Sequence, residues 1–113
     1  MQQVLLNLIL NAIEAMGSVQ EGPRELSIST EQMYDRGVLV VVLDSGPGID
    51  KKHLERVFEP FYTTKDHGLG LGLTICSTIV QAHGGKLMLS NATAGGAVAQ
   101  FTLPAPVMLV AAQ

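Results

Sequence analysis

The chain has 113 residues, 47% hydrophobic and 15% charged, with a formal net charge of −3. That length supports one domain with a modest core, and the composition is too apolar for a disordered segment. The acidic balance speaks against nucleic acid as the main partner, although backbone N–H groups and a metal ion can still supply the field that a nucleotide needs.

Residues 3–16 read as a helix, because Val4, Leu5, Leu8, Ala12, Ala15 and Met16 recur at helical spacing and Gly17-Ser18 ends the run. The segment VLLNLILNAIEAM has no basic leader and carries two Asn, so it does not read as a signal peptide. No apolar stretch approaches the roughly 18 residues needed to span a bilayer, and no membrane contact is expected of this chain. On the same helix Gln3, Asn7, Asn11 and Glu14 fall in one narrow stripe at about 100° per residue. Such a stripe can simply face water. It can equally line a cleft, where amide oxygens suit a hard cation such as Mg²⁺.

Residues 17–24 form a polar loop, and residues 25–33 and 38–43 form two strands whose Asp35-Arg36-Gly37 connection suggests a hairpin. The second strand ends in Asp44, followed at once by Ser45-Gly46-Pro47-Gly48. A strand-end Asp is often a turn former. It can also accept a hydrogen bond from an exocyclic amine, while glycines let the backbone approach a flat ligand. A short helix is expected over 51–57, with Asp50 as its N-cap.

Residues 58–70 read as an irregular loop. Phe58, Phe61 and Tyr62 gather three of the five aromatics, and alone such a cluster plugs a core. Thr63, Thr64 and Lys65 offer hydroxyls and a cation to a phosphate. Gly68, Gly70 and Gly72 then alternate into a helix over 71–82, and free N–H groups at a helix start bind anions. The spacing fits neither the dinucleotide fingerprint nor a Walker loop. Cys76, the only cysteine, lies in this apolar helix and reads as a small buried hydrophobe. With no intrachain disulfide possible, a reducing, cytoplasmic setting fits. Gly84-Gly85 ends the helix. Strands over 86–90 and 97–103 close the chain, joined by a turn at 91–96, and Pro104 and Pro106 stop the last strand. Consecutive strands should pair as hairpins under helices gathered on one face. The expected class is α+β: a two-layer α/β sandwich on a mixed, mostly antiparallel sheet.

Four motifs occur in order: LLNLILNAIEAM, DSGPGI, FEPFYTTK and GLGLGL, followed by HGGKLMLSN and FTLP. Together they resemble the asparagine box, first glycine box, phenylalanine box and second glycine box of the sensor histidine kinase catalytic domain. That family's Bergerat-type ATP-binding fold is shared with gyrase, Hsp90 and MutL. The resemblance covers nearly the whole chain. It implies a catalytic ATP-binding domain over residues 1–104, without the strand that usually precedes the asparagine box, and a tail over 105–113.

The resemblance also implies the cofactors ATP and Mg²⁺ and a set of roles. Asn11 is the Mg²⁺ ligand and Asn7 borders the triphosphate. Asp44 accepts the adenine amino hydrogen, and Gly46, Gly48, Ile49 and Phe58 shape the adenine pocket. Thr64 and Lys65 stand on the lid side, with Lys65 toward the γ-phosphate. Gly68, Leu69, Gly70, Leu71, Gly72 and Leu73 form the lid hinge and phosphate cradle. Only Asp66-His67 separates the last two boxes, a short lid that resembles the nitrogen-regulatory and oxygen-sensing kinases. The expected partners are a phosphoacceptor histidine domain of the same kinase and a downstream response regulator, whether the parent is soluble or membrane-anchored. None of His53, His67 or His83 has a phosphoacceptor context, and His83 reads as a helix cap.

Glu14 stands where some relatives have a phosphate-facing Lys, and Ala97 where many have Thr or Ser beside the adenine pocket. Clamp ATPases and serine-kinase anti-sigma factors of this fold tend to carry a Glu four residues before the metal-binding Asn. Here that residue is Asn7, which cannot act as a base and so favours transfer to histidine. A non-catalytic nucleotide-binding module remains the alternative from another class.

Overall fold

The computed structural model describes residues 2–17, 22–34, 37–59 and 72–104. In chain order the elements are α1 (Gln2–Met16), β1 (Leu26–Gln32), β2 (Val38–Asp44), α2 (Lys51–Leu54), α3 (Gly72–Ala82), β3 (Leu87–Asn91) and β4 (Ala97–Leu103). The four strands form one sheet in the order β1-β2-β4-β3, and every pairing among them is antiparallel. Helices α1 and α3 pack on each other and against the sheet, which is the expected two-layer sandwich.

The core follows from two periodicities. On α1, Val4, Leu8, Ala12 and Met16 are buried. Their four-residue spacing makes one stripe along the helix. On β2 every second residue is buried, Val40, Val42 and Asp44, because strand side chains alternate between faces. Register carries that face across the sheet: Val40 opposes Phe101, Val42 opposes Ala99, and Phe101 opposes Leu87. Val4 and Leu8 from α1 and Cys76 and Val80 from α3 close over it. Each such aliphatic burial contributes about 1.5–3 kcal/mol.

Cys76 is fully buried among these residues. Burial pushes its thiol pKa up from the ordinary value of 9.0, while a hydrogen bond from the Asn7 amide acts the other way. It is the small core residue that its setting suggested.

Strand bounds agree with the sequence reading to within a residue or so. The main difference is α2, expected to reach residue 57 but helical only over Lys51–Leu54. Asp50 does cap it, accepting the Lys52 N–H at 3.3 Å. None of its residues is buried, so no packing prolongs it. Tighter three-residue turns take over, with Arg56 N–H donating to His53 C=O and Glu59 N–H to Arg56 C=O. Helix α3 ends in the expected glycine cap, Gly84 N–H bonding Gln81 C=O and Gly85 N–H bonding Val80 C=O. His83 turns its Nδ1 onto Ile79 C=O at 2.9 Å, so it caps this helix as read. Edge strand β1 is exposed along almost its whole length, in keeping with its polar sequence LSISTEQ. Among the described residues, no helix is long and apolar enough to cross a membrane.

Candidate nucleotide site

Among the described residues, Asp44 is the one charged or polar residue that is buried, at 6% exposure. A carboxylate is buried without large penalty only when it is hydrogen-bonded. Here one oxygen, Oδ1, accepts two backbone N–H groups, from Gly46 at 2.8 Å and Ala97 at 3.2 Å. Both bonds converge on Oδ1. Oδ2 is therefore the atom left to meet a donor from a ligand. The side chain is held in one orientation by β2, by the turn that follows it and by the start of β4.

Each holder depends on a residue with little or no side chain. Gly46 is buried, and a Cβ there would stand 3.0 Å from Asp44 Oδ1 and 3.4 Å from the Ala15 backbone of α1. At Gly96, φ is +89° and a Cβ would run into the Asp44 carbonyl oxygen. That positive φ swings the chain so that Ala97 N–H reaches Oδ1. The Ala97 side chain carries no polar atom, yet its backbone supplies a polar contact to the carboxylate.

The turn after Asp44 is anchored at both ends. Ser45 Oγ accepts Glu25 N–H at 2.7 Å and donates to Pro23 C=O at 3.0 Å. At the far end Asn91 grips the Ile49 peptide twice: Ile49 N–H donates to Oδ1 and Nδ2 donates to Ile49 C=O, each at 2.7 Å. Sequence reasoning assigned residues 91–96 only to a turn, so it missed Asn91 and Gly96. An Asn ending a strand, six residues before the next, was the available signal for Asn91. The Gly95-Gly96 pair was the signal for Gly96.

Ala15, which meets Gly46, links this corner to α1. Asn11 lies one helical turn before it, about 6 Å along the axis, and Asn7 one turn further. Asn11 and Asn7 are half-buried, whereas Gln3 and Glu14 are exposed. The amide stripe thus divides, with its inner members on the rim of the buried face. Asn7 Nδ2 donates to Cys76 Sγ at 3.6 Å, placing it against α3. Gly72 opens α3 one turn before Cys76, exposed, and among the described residues nothing stands within 4 Å of where its Cβ would be. Ala15, Asn11 and Asn7 thus follow one another at four-residue spacing along α1, from the corner beside Gly46 to the first half of α3.

Phe58 and Leu73 are half-buried and pack against the core cluster. Thr74 Oγ1 donates to Phe58 C=O at 2.9 Å, tying the end of that loop to α3. Thr64, Lys65, Gly68, Leu69, Gly70 and Leu71, and with them Phe61 and Tyr62, lie outside the described residues. Among the described residues no group of three or more His, Cys, Asp or Glu is placed to hold a metal ion.

A buried strand-end carboxylate with a glycine turn beside it, and an amide-bearing helix leading to a second helix start, are the described parts of the site that the four sequence motifs led one to expect. The sequence pattern of the family described as "Histidine kinase-, DNA gyrase B-, and HSP90-like ATPase" matches residues 1–107. The chain belongs to this family, and within it to the histidine kinase catalytic, ATP-binding domains. It is 47% identical over 104 residues to the sensor protein TdiS of Thauera aromatica, covering 91% of this chain and 19% of that protein. The nucleotide-free catalytic domain of histidine kinase ThkA superposes with a TM-score of 0.76 at 44% identity, over 90% of this chain and 64% of that one. ThkA has also been solved in complex with the response regulator protein TrrA, where 42% identity and a TM-score of 0.71 hold over 90% of this chain and 27% of that one. Full-length ShkA, solved in complex with AMPPNP, gives a TM-score of 0.77 at 30% identity over 90% of this chain and 20% of that one. The chain spans between 11% and 22% of the length of curated relatives such as TdiS.

Proposed function

We infer that this chain binds Mg²⁺-ATP and donates the γ-phosphoryl group to a histidine on a separate dimerisation and phosphoacceptor domain. A response regulator would be the next acceptor. The observation that carries this reading is Asp44: a buried carboxylate, fixed through one oxygen by Gly46 and Ala97, with the other oxygen left for the adenine amino group. Residues 46–49 flank the base. The triphosphate then follows α1 past Asn11 and Asn7 toward the start of α3, where Gly72 and Leu73 begin the helix. Thr64, Lys65 and the glycine-rich segment 68–71 carry the lid roles that the family resemblance implies.

This assignment asks for positioning and charge compensation more than for covalent chemistry. Phosphoryl transfer proceeds through a loose transition state whose charge must be held in line with the nucleophile. Mg²⁺ is a hard cation that prefers oxygen donors, amide oxygens among them. Asn11, half-buried on α1, carries an amide oxygen that fits that donor chemistry. When bound, the ion would neutralise charge on the phosphates. The ATP-hydrolysing alternative needs a base one turn before Asn11. Asn7 stands there with its amide turned to a thiol, and offers none.

Asn11→Ala is expected to remove the Mg²⁺ dependence of ATP binding while leaving the adenine contact intact. A calorimetric ATP titration with and without Mg²⁺ checks this. If the variant kept the wild-type response to Mg²⁺, Asn11 would lose its role as ligand.

A further inference from the structure

We propose that Asn91 is a positioning residue for the adenine subsite. Its carboxamide pairs edge to edge with the Ile49 peptide, and so locks the turn over residues 46–49 to the β3–β4 hairpin that also holds Asp44. The inference rests on the adenine reading of Asp44 and names a residue outside the family's four boxes.

An Asn side chain offers one donor edge and one acceptor edge, like a peptide group. Asn91 uses both on a single residue 42 positions away, at 2.7 Å each. These are short against the ordinary N–H···O distance of about 2.9–3.0 Å. Between Asp44 and α2 the backbone has no regular secondary structure, so this pairing stands in for a strand neighbour. Gly48 is seated directly on the amide: its φ is +83°, and a Cβ there would lie 2.9 Å from Asn91 Oδ1.

Asn91 is coupled to Asp44 through its own hairpin. It opposes Ala97 in the β3–β4 register, so both side chains project from the same face of the sheet. Ala92 N–H bonds Gly96 C=O at 2.9 Å and closes the hairpin. Ala97 N–H then holds Asp44 Oδ1 at 3.2 Å. One rigid unit therefore grips the carboxylate by its backbone and the neighbouring turn by a side chain, which sets the spacing between them. Because the Asn91–Ile49 bonds are exposed, water replaces them readily in an unfolded chain. Their contribution is to geometry more than to global stability.

The test compares ADP with inosine diphosphate, which carries an oxo group where adenine has its amine. Affinities are measured calorimetrically on the full chain, on Asn91→Ala and on Asn91→Asp, with thermal melts alongside. Wild type should prefer ADP by about tenfold or more. Asn91→Ala should weaken ADP about five- to tenfold and inosine diphosphate by less than about twofold, narrowing the preference, with the melt little changed. Asn91→Asp keeps the shape but sets a carboxylate against Ile49 C=O. It should behave like the Ala variant, and it carries the test if the Ala variant does not melt cooperatively. A wild-type preference that both variants leave whole overturns the role of Asn91 alone. Equal affinity of the wild type for the two nucleotides removes the adenine subsite, and this role with it.

Discussion

Replacing Asp44 by asparagine is expected to leave the fold standing and to weaken ADP binding by roughly 1.5–3 kcal/mol, about 10- to 150-fold in Kd. The amide oxygen of the variant can keep the bonds from Gly46 and Ala97 N–H. Its NH₂ then occupies the position of Oδ2 and meets the adenine amine donor to donor. Asp44→Ala should lose the same affinity and, in addition, stability of about 1–3 kcal/mol, because the Gly46 and Ala97 N–H groups are left without their acceptor. Parallel calorimetry and urea unfolding separate the two effects. Unchanged ADP affinity in the asparagine variant would remove Asp44 from base recognition.

The second large effect is expected at Gly96. Gly96→Ala forces a side chain into the left-handed region, at a penalty of about 1–2 kcal/mol, and drives a Cβ into the Asp44 carbonyl. Backbone atoms cannot swing aside as a flexible side chain would, so the hairpin must shift. A total loss of about 2–4 kcal/mol is expected in urea unfolding. Where the variant still folds, ADP binding should fall with it, since Ala97 N–H leaves Asp44. Gly95→Ala is the control: its φ of +103° carries backbone strain, but a Cβ there meets none of the described residues within 4 Å. Gly95→Ala should therefore destabilise less and bind ADP normally. Equal binding losses at the two glycines would contradict the account.

What could be read in advance was whatever repeats. The four-residue stripe on α1 and the alternation on β2 placed the core, and the motif DSGPGI singled out the strand-end Asp44 with its glycine turn. The extent of α2 was not legible. A cap residue announces where a helix starts, but its length depends on burial that only the fold reveals. Asn91 and Gly96 escaped because their partners, Ile49 and Asp44, are distant in sequence. Pairing of that kind leaves no local period to detect. Ala97 escaped for another reason: attention fell on its side chain, which differs from the Thr or Ser of many relatives, whereas its backbone N–H is what holds Asp44. The amide stripe on α1 was ambiguous in sequence, and the structure divides it, with Asn7 and Asn11 half-buried and Gln3 and Glu14 exposed.

The central claim concerns where the phosphoryl group goes. Incubating the chain with γ-labelled ATP, Mg²⁺ and a separately produced phosphoacceptor domain from the same kinase tests it directly. The account predicts label on the acceptor as an acid-labile, base-stable phosphohistidine, lost in Asp44→Asn. Release of free phosphate at the same rate with or without the acceptor, and no labelled histidine, would instead mark a hydrolase and contradict the account.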